Sequence, residues 1–466
     1  MRHGVRSRPG VTTMPYRHPV NAVVLFLTLM AAAPRAAAAD RLCDSSFENC
    51  RTPLLDLIDN EQVGIDVAFW FMEDARYSAA LIEKWRSGVP VRVIFDPRAN
   101  PVYPGNVPNV QALADAGIPM LRKTSSGIVH WKTMIFAGQN VVEFSGANFS
   151  PHAFRPNEPY KDYIDEVIVF TDDPALVNSF KRKYDDVWIT TTGYSAYANI
   201  SGTRTRVYPV FDVDPRMNFV PFQNFATRSR GHYNEETVAI DSTMFRITDR
   251  SHTDTLIAAI ARGVPVRLIT DEAEYRDPSK LWNAWNVDRL HMGGAQVRME
   301  AHLGSLHQKS TTLYGQNLTI FGSSNWTTPS ARSQLEHNIF TTDPAYFEFF
   351  RQQFERKWNN ATGNIETKPF VPLPPDTPSY VAPANAAQDQ ALAVTLRWYA
   401  GPWAHKYDIY LGTDPANLTQ VASDVELGPS DSASDHIRFA VDGLQGGTTY
   451  YWQVVSRTMA NVARSG

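Results

Sequence analysis

Residues 63–72 read Val-Gly-Ile-Asp-Val-Ala-Phe-Trp-Phe-Met, and residues 238–247 read Val-Ala-Ile-Asp-Ser-Thr-Met-Phe-Arg-Ile. The register continues without a gap into stretches 88–96 and 263–271, which share Gly-Val-Pro-Val-Arg and each end in Asp. Both apolar runs of each copy predict strands, and the segment between them predicts an amphipathic helix. Two strands joined by a crossover helix pair in parallel, so the unit indicates an α/β fold.

The repeat covers most of the chain. It closes at stretches 166–174 and 336–344, and each of these leads into an amphipathic helix that ends near a Trp. Internal repeats indicate duplicated structural units. We therefore predict two homologous α/β/α halves, residues 40–195 and 215–362, packed as one unit.

The composition changes after the second half. Prolines become frequent between residues 369 and 383, which predicts an extended linker over 363–384. Short alternating strands separated by turn residues then predict an all-β sandwich over 385–466. This region resembles a fibronectin type III domain, and the residues that match its early core strand and its tyrosine corner are Leu396, Trp398, Leu444 and Tyr450.

The first 39 residues have the three parts of a secretory signal peptide. Arginines come first, an apolar run follows over 22–33, and four alanines stand at 36–39 before the predicted cleavage site. The apolar run is shorter than the roughly 20 residues of a transmembrane helix. We therefore expect a secreted or periplasmic protein, and an uncleaved membrane anchor is the alternative.

The chain has two cysteines, Cys43 and Cys50, just after the predicted cleavage site. An exported chain meets an oxidising compartment, so the pair predicts a disulfide rather than two free thiols. Closing so short a loop contributes about 2.5 kcal/mol in the chain-entropy treatment.

Each half carries one His-x-Lys motif, His130-Trp-Lys132 and His307-Gln-Lys309. In both halves an Asn follows the His by eighteen residues and a Glu stands further downstream, and these residues are Asn148, Asn325, Glu166 and Glu336. Phosphodiester cleavage needs a nucleophile, an acid for the leaving oxygen, and cations or donors for the nonbridging oxygens. Imidazoles suit the first two tasks, and ammonium and amide groups suit the third. One set from each half thus predicts a single phosphodiester site.

These motifs resemble those of the phospholipase D superfamily, H-x-K-x4-D-x6-G-S-x-N, given twice. Residues 322–325 reproduce the end of the motif, and 145–148 are the weaker counterpart in the first half. The resemblance implies one site at the interface of the halves, without a metal or other cofactor, that reacts through a phosphohistidine. By analogy it implies His130 as the nucleophile and His307 as the acid and base.

The chain departs from this motif at its Asp, which is replaced by Ala137 and Tyr314. An attacking His needs an acceptor on its second ring nitrogen. We predict that Glu166 and Glu336 take this role, and a solvated strand end is the alternative for both. Two further acids, Asp96 and Asp271, end parallel strands, where ligands often bind, although a loop cap is the other interpretation.

The net charge of −4 and the pI of about 6.3 lack the strongly basic balance typical of nucleic-acid-binding domains. We therefore expect a phospholipase D that hydrolyses phospholipid head-group diesters. The alternatives are an exported nuclease and a catalytically inactive binding protein. The loop over 97–108 and the segment over 275–285 contain aromatic residues and are candidates for membrane contact, although scattered surface aromatic residues need no such role. Both motifs lie in one chain, so the predicted site does not require an oligomer.

Overall fold

The computed structural model describes residues 40–430 and 436–466, so the predicted signal peptide lies outside the described residues. Within the described part of the chain, no helix has both the length and the apolar character needed to cross a membrane.

The first half is built around an eight-stranded sheet. In chain order its elements are β1 (Arg41–Asp44), α1 (Arg51–Asn60), β2 (Ile65–Phe69), α2 (Ala75–Arg86), β3 (Val91–Phe95), α3 (Asn106–Asp115), β4 (Met120–Lys123), β5 (Thr133–Phe136), β6 (Val141–Ser145), β7 (Val167–Thr171), α4 (Pro174–Ile189) and β8 (Tyr194–Ala198). Across the sheet the order is β1-β7-β6-β5-β2-β3-β4-β8. β2 and β3 pair in parallel, with Ile65 opposite Val91, as the sequence predicts. Both strands are buried throughout, because helices cover the two faces of the sheet.

The second half repeats this architecture. Its elements are β9 (Met217–Val220), α5 (Phe225–Glu235), β10 (Ile240–Met244), α6 (Arg250–Ala261), β11 (Val266–Thr270), α7 (Glu272–Arg276), α8 (Leu281–Met292), β12 (Gln296–Glu300), β13 (Lys309–Leu313), β14 (Leu318–Gly322), α9 (Thr328–Arg332), β15 (Glu336–Thr341), α10 (Pro344–Asn359) and β16 (Thr367–Pro369). The sheet order, β16-β12-β11-β10-β13-β14-β15-β9, matches the first sheet strand for strand when read from the opposite edge. The α/β prediction is thus confirmed. β16 lies inside the segment predicted as a linker and adds an edge strand to this sheet.

A shared hydrophobic core joins the halves. It contains Trp131 and Phe180 from the first half with Phe219, Phe321 and Phe350 from the second, all buried. Ring pairs cross the boundary, such as Trp131 with Phe219 at 5.8 Å between centroids. Because burial of apolar area drives association, the two sheets with α4 and α10 between them form one packed body.

The N-terminal strand is fixed on both sides. Cys43 and Cys50 form the predicted disulfide, and both are fully buried. β1 pairs with β7, with Asp44 opposite Val167. The end of β1 therefore pairs with the start of β7, the strand that directly follows Glu166.

The C-terminal region forms two small antiparallel sheets. Its strands are β17 (Ser379–Ala382), β18 (Val394–Tyr399), β19 (Lys406–Gly412), β20 (Thr419–Glu426), β21 (Ile437–Val441), β22 (Tyr451–Arg457) and β23 (Ala463–Ser465). One sheet has the order β17-β18-β21 and the other β20-β19-β22-β23, around a core that includes Trp398 and Tyr407. The resemblance to fibronectin type III stays a prediction. Glu426 on β20 accepts a hydrogen bond from the Trp285 indole of the second half, at 3.0 Å.

Glu143 on β6 is a buried carboxyl group in the first half. It accepts a hydrogen bond from Ser145 at 3.1 Å, and burial raises its pKa well above the ordinary value. A carboxyl whose pKa is raised by folding contributes stability that is complete below its unfolded pKa and is lost as pH rises toward its folded pKa. We expect Glu143→Gln to match the wild type near pH 4 and to gain in relative stability by about 1.4 kcal/mol per pH unit above that, up to the folded pKa. Urea unfolding across the pH range measures this, and a difference that does not vary with pH would contradict it.

Candidate active site

The two His-x-Lys motifs enter equivalent strands of the two sheets. His130 precedes β5 and His307 precedes β13, and these strands pair with β2 and β10. The strand-end acids hold the backbone just before each motif. Asp96 accepts from the Val129 amide at 3.2 Å, and Asp271 accepts from the Leu306 amide at 3.1 Å.

Asp96 and Asp271 also cap the short helices that follow their strands. The loop-cap interpretation therefore describes their geometry, with the addition that each cap fixes the residue before a motif His.

Main-chain hydrogen bonds bring each motif to the opposite half. The His130 amide donates to the Leu335 carbonyl at 2.9 Å, and the His307 amide donates to the Asp165 carbonyl at 3.1 Å. Leu335 and Asp165 are the residues just before the two downstream glutamates. The two motifs therefore meet in one site between the halves.

Each imidazole pairs with the glutamate of the other half. His130 Nδ1 lies 2.8 Å from Glu336 Oε2, and His307 Nδ1 lies 2.5 Å from Glu166 Oε1. Both glutamates are fully buried, so they are not the solvated strand ends considered as the alternative. The pairing leaves Nε2 of each ring as the nitrogen turned away from its carboxyl partner.

The two lysines are buried beside the imidazoles. Lys132 Nζ donates to the His130 carbonyl at 2.8 Å. Lys309 Nζ lies 2.9 Å from His307 Nδ1 and 3.5 Å from Glu166 Oε1. Burial lowers the pKa of Lys309 to about 8, opposed by Glu166, and lowers the pKa of Lys132 well below its ordinary value.

Burial also sets the charge states of the His–Glu pairs. It lowers the pKa of both His130 and His307 well below the ordinary value, and the neighbouring ammonium groups act in the same direction. It raises the pKa of Glu166 to about 7 and that of Glu336 to about 8, opposed by the lysines. The site as it stands therefore favours neutral imidazoles.

The two asparagines lie next to the ends of the central strands. Asn148 and Asn325 are buried, and the residues that follow them bridge to Met72 and Ile247 just beyond β2 and β10. Among the described residues, neither Asn Oδ1 atom has a hydrogen-bond partner. Both side-chain amides lie at the edge where the motifs meet.

Ser323 is a site residue that the sequence analysis did not single out. Its hydroxyl donates to Glu336 Oε2 at 2.5 Å. The equivalent residue, Gly146, faces Glu166 so closely that a Cβ there would lie 2.6 Å from Oε1. The Ser/Gly difference within the two motif ends was the available signal.

An aromatic and a basic side chain also border the second motif. The Phe245 ring lies 4.7 Å from the His307 ring, and Lys309 Nζ lies 5.2 Å from the same Phe ring. Arg246 follows and is held by both oxygens of Glu274, at 2.6 and 2.7 Å. Comparison of the repeats could have identified both, because the equivalent residues of the first half are Trp70 and Phe71.

The positions of the missing motif Asp lie away from the imidazoles. Ala137 and Tyr314 follow the far ends of β5 and β13, opposite to the ends that carry the lysines. Tyr314 donates instead to Asp241 Oδ2 at 2.6 Å. Within the described residues no group of three or more His, Cys, Asp or Glu side chains is arranged to hold a metal ion.

The sequence profile of the family described as cardiolipin synthase, PLD-like domain, matches residues 54–188 and 234–358, which together exceed half of the chain. A mitochondrial cardiolipin hydrolase from Mus musculus is 35% identical over 97 residues, 21% of this chain and 41% of the relative. One from Chlamydomonas reinhardtii is 26% identical over 133 residues, 28% of this chain and 57% of the relative. The chain thus spans about half the length of the curated relatives it matches.

Solved structures support the fold. The crystal structure of phosphatidylserine synthase from Haemophilus influenzae Rd KW20 aligns with a TM-score of 0.55 at 13% identity, over 72% of this chain and 88% of that one. Polyphosphate kinase from Porphyromonas gingivalis aligns with a TM-score of 0.50 at 14% identity, over 72% and 48%.

Proposed function

The chain belongs to the family described as cardiolipin synthase, PLD-like domain, and from this premise we propose that it hydrolyses phospholipid head-group phosphodiester bonds. The observation that carries the proposal is the exchange of glutamates between the two halves, which gives one buried site with two His–Glu pairs and two lysines. The lipid substrate class is supported by the relatives named cardiolipin hydrolase.

In the proposed reaction His130 Nε2 attacks phosphorus. The N–P bond forms as the bond to the leaving oxygen breaks, and His307 gives that oxygen its proton. His307 then takes a proton from water, whose oxygen attacks phosphorus and displaces His130. The products are the head-group alcohol and a phosphomonoester lipid.

In this proposal the other site residues orient the imidazoles and stabilise the charges that develop during the reaction. Glu336 and Glu166 hold Nδ1 of the two imidazoles and compensate the positive charge that each ring carries during the reaction. Lys132, Lys309 and the amides of Asn148 and Asn325 stabilise the nonbridging oxygens. An anionic phosphodiester entering the site also favours protonation of one imidazole, because it offsets the two ammonium groups.

The proposal includes export of the protein and leaves a role of the C-terminal sheets open. Export is supported by the composition of residues 1–39 and by the disulfide that follows them. Val102, in the loop before α3, and Trp282, in the first turn of α8, are exposed, which supports contact with a lipid surface.

A substrate panel tests the activity. The purified protein is incubated with vesicles of phosphatidylcholine, with vesicles that contain cardiolipin, and with single-stranded DNA. We expect the head-group alcohol to be released from the lipids, and we expect the DNA to stay intact. Cleavage of DNA alone would replace the proposal by the nuclease alternative, and no cleavage of any substrate would favour the inactive binding protein.

A further inference from the structure

A buried ion pair lies directly behind the second histidine. Lys357, near the end of α10, contacts Asp165 Oδ1 at 2.6 Å and Gln308 Oε1 at 2.9 Å. The side chains of Lys357 and Asp165 are each only 1% exposed. We call Asp165, Lys357 and Gln308 the ionic cluster.

Two residues of the ionic cluster are chain neighbours of the His307–Glu166 pair. Asp165 directly precedes Glu166, and Gln308 directly follows His307. The Asp165 carbonyl also accepts the His307 amide, at 3.1 Å. Gln308 is itself fixed by a bond from its Nε2 to Ser310 Oγ, at 2.7 Å. Any shift of Lys357 therefore reaches the backbone on both sides of the pair.

Three apolar residues occupy the equivalent positions around His130. Trp131 is equivalent to Gln308, Leu335 to Asp165, and Val187 to Lys357, counted from the motif His, the glutamate and the helix start of each half. These three residues are buried together in the core that joins the halves. The backbone contact is retained, because the His130 amide donates to the Leu335 carbonyl at 2.9 Å.

Apolar residues fill the three equivalent positions around His130, so the fold does not require charges at these positions around His307. Buried ion pairs are also costly to desolvate and are often no more stabilising than apolar replacements. Asp165 Oδ2 has no hydrogen-bond partner among the described residues, which adds to that cost. A specific role near His307 accounts for the charges better than stability does.

We propose that Lys357 is a positioning residue for His307, which holds Asp165 and Gln308 together and so orients the His307–Glu166 pair for proton transfer. The inference rests on the function proposed above. The charges support the inference as well as the geometry does. Burial raises the pKa of Glu166, and the negative charge of Asp165 raises it further. The ion pair between Lys357 and Asp165 limits this negative charge next to Glu166.

The test is the double variant Asp165→Asn/Lys357→Met, which nearly keeps both shapes and removes both charges. Phosphatidylcholine has an alkyl leaving group that needs a proton, whereas bis(p-nitrophenyl) phosphate has a leaving group that does not. We expect kcat for choline release to fall roughly 10-fold to 100-fold. The first-turnover release of p-nitrophenolate should stay within about threefold of wild type, because it does not need the acid.

Two further variants complete the design. Lys181→Met removes a lysine of α4 that bonds Asn140 at 2.8 Å, and it should leave both rates unchanged. Lys357→Arg keeps the charge and should recover part of the choline release. Equal losses on both substrates, or no loss on either, would overturn the inference while the proposed function stands. A wild type inert toward both substrates would overturn the proposed function and the inference with it.

Discussion

Replacing His130 by Asn lowers kcat by roughly four to six orders of magnitude, the largest effect we expect for any single substitution. The ring nitrogen proposed to attack phosphorus is lost, and no other described side chain pairs with Glu336 as the imidazole does. In the wild type, Glu336 is bonded to His130 at 2.8 Å and to Ser323 at 2.5 Å. The amide of Asn at position 130 can still donate to Glu336. The fold should therefore survive, and choline release from vesicles measures the rate.

The matched control is His291→Ala, because His291 is an exposed histidine on α8. It should retain wild-type kcat. A His130→Asn variant that folds and keeps more than about a tenth of the activity would remove His130 from the nucleophile role.

Replacing Glu336 by Gln lowers kcat by roughly 10²-fold to 10⁴-fold without unfolding the protein. Gln keeps the size of the side chain, but it cannot carry the negative charge that stabilises a positively charged His130. Burial raises the pKa of Glu336 to about 8, so wild-type activity should rise toward that pH as the carboxylate forms, and it should fall above that pH as Lys309, whose pKa is also about 8, loses its charge. The variant should lose this rise, which a kcat profile from pH 5 to 10 would measure.

The stability of the wild-type protein should fall as pH rises. The raised pKa means that the stability contributed by the Glu336 carboxyl is lost as pH rises through about 8. Glu336→Gln lacks this loss and should be the more stable protein at alkaline pH. Glu143→Gln is the matched control, a buried acid that bonds Ser145 and not a motif histidine, and it should keep full activity. Loss of activity that is explained by unfolding would contradict the role of Glu336.

Most of the fold and the chemical groups of the site could be predicted from the internal repeat in the sequence. Parallel strands β2 and β3, and likewise β10 and β11, follow from apolar runs separated by a helix. The motif residues His130, Lys132, His307 and Lys309 follow from types and spacing that occur twice. The approach of both sets to one site needed only that the halves pack together.

The exchange of partners could not be predicted in the same way. Glu166 follows His130 in the chain and Glu336 follows His307, so sequence order gives no reason to cross them. The crossing comes from main-chain contacts at the interface of the halves, as between His307 and Asp165. Such contacts depend on the relative placement of two sheets, which periodicity within each half does not determine.

The features that make the halves unequal were harder to recognise in the sequence. A repeat is recognised by what its copies share, whereas Ser323, Lys357 and Arg246 are positions where the copies differ. Only contacts give these differences a meaning, as when the Ser323 hydroxyl reaches Glu336. Differences between copies at the places next to the motifs are therefore the positions to examine first.

A trapped covalent adduct would show directly whether both halves form one site with His130 as the nucleophile. The variant His307→Ala is mixed with bis(p-nitrophenyl) phosphate, whose leaving group needs no acid, and is quenched at alkaline pH for mass spectrometry of the intact chain and its peptides. Without the base that activates water, the adduct should accumulate. We predict one p-nitrophenyl phosphoryl group per chain, bound to His130. Two groups per chain, a group on another residue, or none at all would contradict the account.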